Sequence, residues 1–243
     1  MSQSLQRGID AILFLASRKS AGVTEVAEAL GVNKSTAFRI LDTFLNNDMV
    51  EKNKDTLKYK LGPAILQLSQ QYYKNFNIIE VARPIMERLA SEIRESVHLC
   101  SLANNGAVVI EQVLSDSRLV VSAKIGNREP LHCSSVGKCL LAFAEKEDFE
   151  KMLGEIGFDI FTENTIDNAD RLRAEVKKIQ DVGFAIDDGE ISLDIKCVAV
   201  PIINRNGTCT HSLGTSGASS RMTKEKIDKI VPLLKRSANS ISL

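Results

Sequence analysis

The chain has 243 residues, 44% of them hydrophobic and 26% charged, which is typical of an ordinary globular protein with one large domain or two modest ones. The formal net charge is zero, but residues 1–75 hold ten Lys or Arg against seven Asp or Glu, and the remainder holds 21 against 24. A mildly basic head on an acidic body fits a nucleic-acid-contacting module joined to a part that avoids nucleic acid.

The cysteines and the N-terminus indicate the compartment. The five cysteines form no C-x-x-C pair, and their odd number favours reduced thiols over a disulfide framework. The polar N-terminus resembles no signal peptide, and the apolar run over residues 11–16 is too short to span a bilayer. We therefore expect a cytoplasmic protein that does not enter the membrane.

The first predicted element is a helix over residues 5–16. Apolar side chains at helical spacing mark the face that we expect to pack on the following helices. These residues are Leu5, Ile9, Ile12, Leu13 and Ala16.

Residues 23–46 read as a short helix, a turn at Gly31 and a second helix that Asn33 is placed to cap. In the second helix one face is apolar, with Ala37, Ile40, Leu41, Phe44 and Leu45 at the i, i+3, i+4, i+7 and i+8 positions. Its start and its other face carry Lys34, Ser35, Thr36 and Arg39. In a helix-turn-helix, this part of the second helix meets base edges and phosphates in the DNA major groove. The alternative is an ordinary helical hairpin whose polar residues face water.

A basic hairpin follows. Residues 49–52 and 56–61 predict two strands around a polar turn, and Leu57, Tyr59 and Leu61 alternate with polar residues in the second. Three helices and a hairpin make a winged helix-turn-helix. Its lysines, Lys52, Lys54 and Lys58, would then face the sugar-phosphate backbone, unless the hairpin is merely solvated.

Gly62-Pro63 marks a boundary, because proline is well tolerated at the first position of a helix. Ile65, Leu68 and Tyr72 continue one apolar stripe to about residue 75, and this stripe could pair with a second copy of the chain. The predicted organisation is a DNA-binding domain over 1–62, a linker helix over 63–76 and a second domain over 77–243.

The second half predicts an α+β domain around an antiparallel sheet. Helices are expected over 81–95, 135–144 and 169–181, and a last helix begins after Thr223, with a kink or early break at Pro232. Strands are expected over 97–102, 108–113, 119–123, 184–187, 197–203 and 208–213. Asn104-Asn105-Gly106 joins the first two strands as a hairpin.

Three segments of this half collect polar groups among apolar ones. Residues 124–138 are a loop running into a helix, and the free N–H groups of a helix N-terminus favour an anion such as a carboxylate. Residues 187–190 form an acidic strand end near Cys197, and residues 214–217 read as a glycine-flanked turn that a ligand can approach. The alternatives are a helix cap, a solvated acidic loop and an ordinary turn.

The sequence gives little support to an enzyme. Residues 214–218 miss the G-x-S-x-G pattern because Ala218 stands at the last glycine, and there is no P-loop and no acid–base or nucleophile pair. His98 with Cys100, or His132 with Cys133, could touch a metal, but a core histidine beside a free thiol explains them as well. The rival interpretations are an enzyme with a helical appendage and a protein–protein adaptor whose winged helix binds no DNA.

Short motifs spread over the chain resemble the isocitrate lyase regulator (IclR) family of bacterial transcription factors. They occur in the family's order and spacing at residues 30–41, 59–63, 81–84, 97–99, 130–132, 137–138, 161–165, 196–201 and 216–217. The resemblance implies a winged-helix head, a linker helix and an effector domain with a GAF/profilin-like sheet. It also implies a homodimer, often paired into a tetramer, on a palindromic operator in double-stranded DNA.

The same resemblance implies a small-molecule effector, typically an organic or aromatic acid. We expect no cofactor, and the sequence leaves open whether a metal binds the second domain. By position, its pocket would include Val121, Ser135, Val136, Asp187, Cys197 and Ser216. Gly214 stands where family members often have a serine that helps hold the ligand, Ser135 and Val136 replace smaller residues, and Lys196 replaces a frequent arginine. These departures indicate that the ligand differs from the best-known ones.

Overall fold

The computed structural model describes residues 2–75, 77–103, 106–117, 120–204 and 207–242. It divides the chain into two compact units, Met1–Phe76 and Asn77–Leu243. The predicted α+β class is confirmed. Within the described ranges, no helix is both long enough and apolar enough to cross a bilayer.

The first unit contains three helices, a two-stranded antiparallel sheet and a fourth helix. In chain order these are α1 (Gln3–Ala16), α2 (Val23–Ala29), α3 (Lys34–Leu45), β1 (Val50–Lys52), β2 (Tyr59–Leu61) and α4 (Pro63–Asn75). Strand β2 is shorter than expected because Leu57 adopts a left-handed conformation (φ 56°) and is exposed, so that pairing with β1 starts at Tyr59. Tyr59 is buried and also pairs with Ala21, which ties the hairpin to the chain between α1 and α2.

The face of α1 that packs inward differs from the predicted one. Leu5, Ile9 and Leu13 are 64%, 46% and 58% exposed, whereas Ala11 and Leu15 are buried. The small side chain of Ala11 allows α1 to lie close to its neighbours. The larger side chains on the adjacent face instead line an apolar groove of 610 Å³ between α1 and α3.

The second unit wraps helices around a six-stranded sheet with the strand order β5-β4-β3-β8-β7-β6, and each neighbouring pair is antiparallel. Helices α5 and α9 pack on one face, and α6, with α8 behind it, packs on the other. The elements are α5 (Asn77–Ile93), β3 (Ser96–Ala103), β4 (Gly106–Val113), β5 (Arg128–Glu129), α6 (Ser135–Ala142), α7 (Lys146–Glu155), α8 (Ala169–Val182), β6 (Ala185–Asp188), β7 (Ile195–Ile203), β8 (Cys209–Ala218) and α9 (Lys224–Ile241).

Two strand predictions are wrong. Residues 120–123 form no strand, and Leu119 lies outside the described residues; β5 forms that sheet edge instead. The segment 214–217 is part of β8 and not a turn. Its glycines reflect crowding, because a Cβ on Gly214 would lie 2.5 Å from His98 Nε2 and one on Gly217 would lie 2.8 Å from the Glu95 carboxyl group.

The predicted helices agree with the structure more closely than the predicted strands and turns do. Thr223 caps α9 through the Lys226 N–H, and Gly183 ends α8 in a left-handed conformation. The expected break at Pro232 is wrong, because α9 continues to Ile241 and buries Ile227, Ile230, Leu234, Ala238 and Ile241. Helix α7 was not predicted. Antiparallel pairing of β3 with β4 confirms the hairpin, although Asn104 and Asn105 lie outside the described residues.

Candidate functional site

Helix α3 presents a polar face above a buried one. Ala37 and Leu41 are fully buried against α1 and α2, while Lys34, Ser35 and Arg39 are exposed and Thr36 is half-buried. The Asn33 side chain accepts hydrogen bonds from the Thr36 N–H and the Ser35 hydroxyl, each at 2.8 Å. The cap therefore fixes the first turn of α3, where a base-reading helix makes its contacts.

The hairpin beside α3 carries the three predicted wing lysines on its surface. Lys52, Lys54 and Lys58 are all exposed, and the Asn53 side chain closes the turn by accepting two backbone N–H groups. Lys58 lies 3.5 Å from Glu25 of α2. An exposed pair of this kind contributes little stability, so a phosphate group can replace Glu25 as the partner of this lysine.

One residue on the exposed face of α3 was missed in the sequence. Phe38 lies next to Arg39 and is 46% exposed, although the first unit has a core in which an aromatic ring could be buried. An exposed apolar side chain on a helix of this kind suits contact with a thymine methyl group, if the helix enters the major groove. Only its position outside the buried stripe could have signalled this in the sequence.

In the second unit, three predicted pocket residues stand in one row across adjacent strands. Asp187 of β6 is paired with Cys197 of β7, and Cys197 is paired with Ser216 of β8. Asp187 and Ser216 are buried. Burial raises the pKa of the Cys197 thiol, so the row combines a carboxyl group, a neutral thiol and a hydroxyl group.

Two further predicted residues begin helix α6, over the same sheet face. Ser134 caps this helix by accepting the Gly137 N–H, and the Lys138 N–H bonds to the Ser134 carbonyl oxygen. Ser135 and Val136 are each 1% exposed, and their N–H groups donate to no group in the described part of the chain. Buried N–H groups are nearly always paired, so this helix end can accept an anion.

A histidine occupies the space above Gly214. His98 of β3 is paired with Gly214 of β8, its ring lies against the position of a Gly214 Cβ, and Val136 Cγ1 approaches that position to 2.8 Å. Burial lowers the pKa of His98 to about 4, so the ring is neutral, and its Nδ1 has no hydrogen-bond partner among the described residues. Gly214 is therefore the residue that makes room for His98.

Carboxyl groups converge on the residue that precedes the α6 cap. Burial, together with the charges of Asp187, Glu190 and Glu129, raises the pKa of the Cys133 thiol to about 12. Burial likewise raises the pKa of Glu190 to about 7 and that of Asp187 to about 6, although Lys138 lowers both. The sequence had suggested Asp187 but not Glu129, which comes from the opposite sheet edge.

A fully buried lysine neutralises only part of this charge. Lys138 bonds to Glu190 and lies 3.8 Å from Glu175, which also pairs with Lys178. Within the described ranges, neither Asp187 nor Glu129 has an ion pair.

A short loop fixes the backbone at Glu190. The Thr165 hydroxyl donates to the Glu190 carbonyl oxygen at 2.6 Å, and the Thr162 hydroxyl donates to the Gly189 carbonyl oxygen at the same distance. Asn164 donates to the Asp188 carbonyl oxygen. These bonds tie residues 162–165 to the backbone of the acidic strand end, and the bond from Lys138 to Glu190 joins that strand end to α6.

Val121, the sixth predicted pocket residue, lies half-exposed between β4 and β5 outside any strand, and its role stays a prediction. No group of three or more His, Cys, Asp or Glu among the described residues is arranged to hold a metal ion.

A capped helix with an exposed polar face, a lysine-bearing wing and a separate α+β domain define a helix-turn-helix transcriptional regulator. Comparison with known proteins gives the family. The model of the IclR helix-turn-helix domain matches residues 4–54, and that of the bacterial transcriptional regulator IclR C-terminal domain matches residues 70–243. The chain belongs to the IclR family of transcriptional regulators, and it is not an enzyme.

Similar proteins match over nearly the whole chain. The HTH-type transcriptional regulator KdgR of Dickeya chrysanthemi is 28% identical over 94% of this chain and 75% of its own length. An IclR transcriptional regulator from Alicyclobacillus acidocaldarius is 25% identical, covers 100% of this chain and 98% of its own, and has a TM-score of 0.85. An IclR homolog from Microbacterium hydrocarbonoxydans, solved with 4-hydroxybenzoate, is 24% identical, covers 98% and 97%, and has a TM-score of 0.82.

Proposed function

We propose that this regulator is a cytoplasmic protein that binds a palindromic operator through α3 and the wing, and that a small organic acid in the second unit changes its operator affinity. The observation that carries the proposal is the exposed polar first turn of α3, capped by Asn33 above a buried apolar face. Lys34, Ser35, Thr36 and Arg39 would engage the operator. Lys52, Lys54 and Lys58 would bind the sugar-phosphate backbone.

The effector site that we propose lies between the first turn of α6 and the row formed by Asp187, Cys197 and Ser216. Its support is the pair of unpartnered N–H groups at Ser135 and Val136, which suit a carboxylate. The 4-hydroxybenzoate bound by the Microbacterium homolog is itself a carboxylate. An effector that binds one arrangement of the protein more tightly than another shifts DNA affinity by that difference and no more.

We further propose that the protein acts as a homodimer, with a tetramer as the next assembly. Leu66 and Leu68 of α4 are 63% and 60% exposed, and α1 exposes three more large apolar side chains beside its groove. Exposed apolar surface of this extent is typical of a partner interface. Analytical ultracentrifugation should show a dimer or larger species, and Leu68→Glu should shift the equilibrium toward monomer. A wild-type monomer at working concentration would contradict this proposal.

The DNA-binding part is tested by fluorescence anisotropy with the full chain and a duplex from upstream of its own gene. Arg39→Ala should weaken binding by about 1–3 kcal/mol if Arg39 reads a base. Arg236→Ala is the matched control, because Arg236 is an exposed arginine of α9 in the other unit. Equal affinities for both variants at fixed salt would remove Arg39 from the contact set.

The effector part is tested by calorimetry with organic acids that raise the melting temperature of the protein. Asp187→Ala and Ser216→Ala should weaken effector binding but leave operator affinity intact. Normal ligand affinity in both variants would refute the pocket assignment. If the chain shows no salt-dependent binding to any duplex, a protein–protein adaptor is favoured instead.

A further inference from the structure

The pocket contains more negative charge than its own lysine neutralises. Asp187 and Glu129 come from opposite edges of the sheet, β6 and β5. Even so, the charge of Asp187 contributes to the raised pKa of Glu129, and the charges of both contribute to the raised pKa values of the Cys133 and Cys197 thiols. Lys138 is committed to Glu190 and Glu175. Among the described residues, the Glu129 side chain has neither an ion pair nor a hydrogen bond.

The same pocket holds unpaired polar atoms on deeply buried side chains. His98 is 3% exposed and its Nδ1 has no partner, and Glu190 is 7% exposed and its Oε2 has no partner, in both cases counting described residues only. His98 Nε2 and Val136 Cγ1, the latter in the first turn of α6, both lie within 3 Å of the position that a Gly214 Cβ would take. Buried polar atoms are costly to leave unpaired, so their convergence at one helix end indicates a bound molecule that supplies partners.

The pocket presents N–H groups on one side and carboxyl groups on the other. The unpartnered N–H groups of Ser135 and Val136 present the positive end of a helix dipole. Glu129 is paired with Ala107, which packs in the same core as Val136 of α6, so Glu129 lies on the α6 side of the sheet. It directly precedes Pro130, whose carbonyl oxygen accepts both the N–H and the hydroxyl group of Ser134, the cap of α6. A plain carboxylate would be attracted by the N–H groups and repelled by Glu129 and Asp187. A zwitterion satisfies both sides.

We infer that the effector is an amino acid or a closely related amino-group-bearing acid, whose carboxylate binds the α6 N-terminus and whose ammonium group lies between Glu129 and Asp187. This inference rests on the proposed effector function and narrows its ligand class. A metal ion is a poor substitute for the ammonium group, because the described residues offer no metal-binding cluster there. Asp187 already accepts the Glu190 N–H at 2.7 Å, so Glu129 is the residue that sets specificity, since it adds a second carboxyl group that has no ion pair among the described residues.

The first test needs no ligand. Without a bound cation, Glu129→Gln removes a carboxylate that repels Asp187 and should raise the melting temperature of the full chain at pH 8 by about 2–4 °C. The gain should shrink at pH 5, because burial raises the pKa of Asp187 to about 6, so that Asp187 is largely protonated there and no longer repels Glu129. Glu163→Gln, at an exposed loop position, is the control and should change nothing. An unchanged or lower melting temperature for Glu129→Gln at pH 8 means that the chain already compensates Glu129, and it overturns the inference.

The second test uses the twenty standard L-amino acids in a thermal-shift screen, with the 2-hydroxy and 2-oxo acid of each as analogues that lack the amine. We expect at least one amino acid to bind at least tenfold more tightly than both of its analogues, and Glu129→Gln to remove that preference. If only amine-free acids bind, the proposed effector function stands and the zwitterion inference fails. If no compound of either series binds, the inference fails as well, while operator binding tests the proposed regulator independently.

Discussion

Substitution of Gly214 by alanine tests whether His98 leaves no room for a side chain at position 214, where family members often have a serine. The added Cβ would lie 2.5 Å from His98 Nε2 and 2.8 Å from Val136 Cγ1, where carbon contacts prefer about 3.5–4 Å. Both neighbours are buried, so neither can turn to solvent. Overpacking of this kind costs about 2 kcal/mol, which corresponds to a fall in melting temperature of about 4–8 °C for a domain of this size.

The assay is differential scanning calorimetry of the full chain carrying Gly214→Ala, His98→Ala or both. The His98→Ala variant is itself destabilised by a cavity, but it frees the space that the new methyl group needs. The contact with Val136 remains, so Gly214→Ala should still cost stability in the His98→Ala background, but clearly less than it costs in the wild-type chain. Gly154→Ala is the control, because nothing lies within 4 Å of a Cβ there. If Gly214→Ala lowers the free energy of unfolding equally, within about 0.5 kcal/mol, in the wild-type chain and in the His98→Ala variant, His98 does not oppose the added methyl group and the explanation fails.

Two further predictions concern stability. The buried Glu95 carboxylate accepts hydrogen bonds from Arg221 and Lys226. Burial raises the pKa of Glu95, but these two partners lower it more, so its contribution is complete above about pH 4.3 and lost as the pH falls further. Glu95→Gln should thus cost about 2 kcal/mol in urea denaturation at pH 7 and much less at pH 3, and a pH-independent difference would contradict the charge argument. Asn33→Ala should cost about 1 kcal/mol by removing the α3 cap at the Thr36 N–H, and it should weaken operator binding more than Asn168→Ala, which removes the matching cap of α8.

Local patterns were enough to predict the DNA-binding unit. The cap at Asn33, the buried stripe of α3 and the basic hairpin all follow from neighbouring residues, and the structure contains each of them. The buried face of α1 could not be predicted in this way. Hydrophobicity favoured Leu5, Ile9 and Leu13, but close helix packing selected Ala11 and Leu15 instead.

The pocket depends on contacts between distant parts of the chain. Residues 214–217 resembled a turn because a glycine stands at each end. In the structure, the absence of a side chain at Gly214 leaves room for His98, and its absence at Gly217 leaves room for Glu95. Family resemblance suggested Asp187, Cys197 and Ser216, and the sheet register aligns them. Neither route singled out Glu129 within the polar segment 124–138, because its place on the α6 side of the sheet follows from its pairing with Ala107, a contact that the local sequence does not indicate.

The most direct test of the account is an anisotropy titration of the full chain on its own upstream duplex, with and without the compound that most raises its melting temperature. We predict tight, salt-dependent binding, with a higher affinity for the upstream duplex than for a scrambled duplex. We also predict that the affinity for the upstream duplex changes about fivefold or more when the compound is added. Equal affinity for both duplexes, or an operator affinity that no stabilising compound alters, would contradict it.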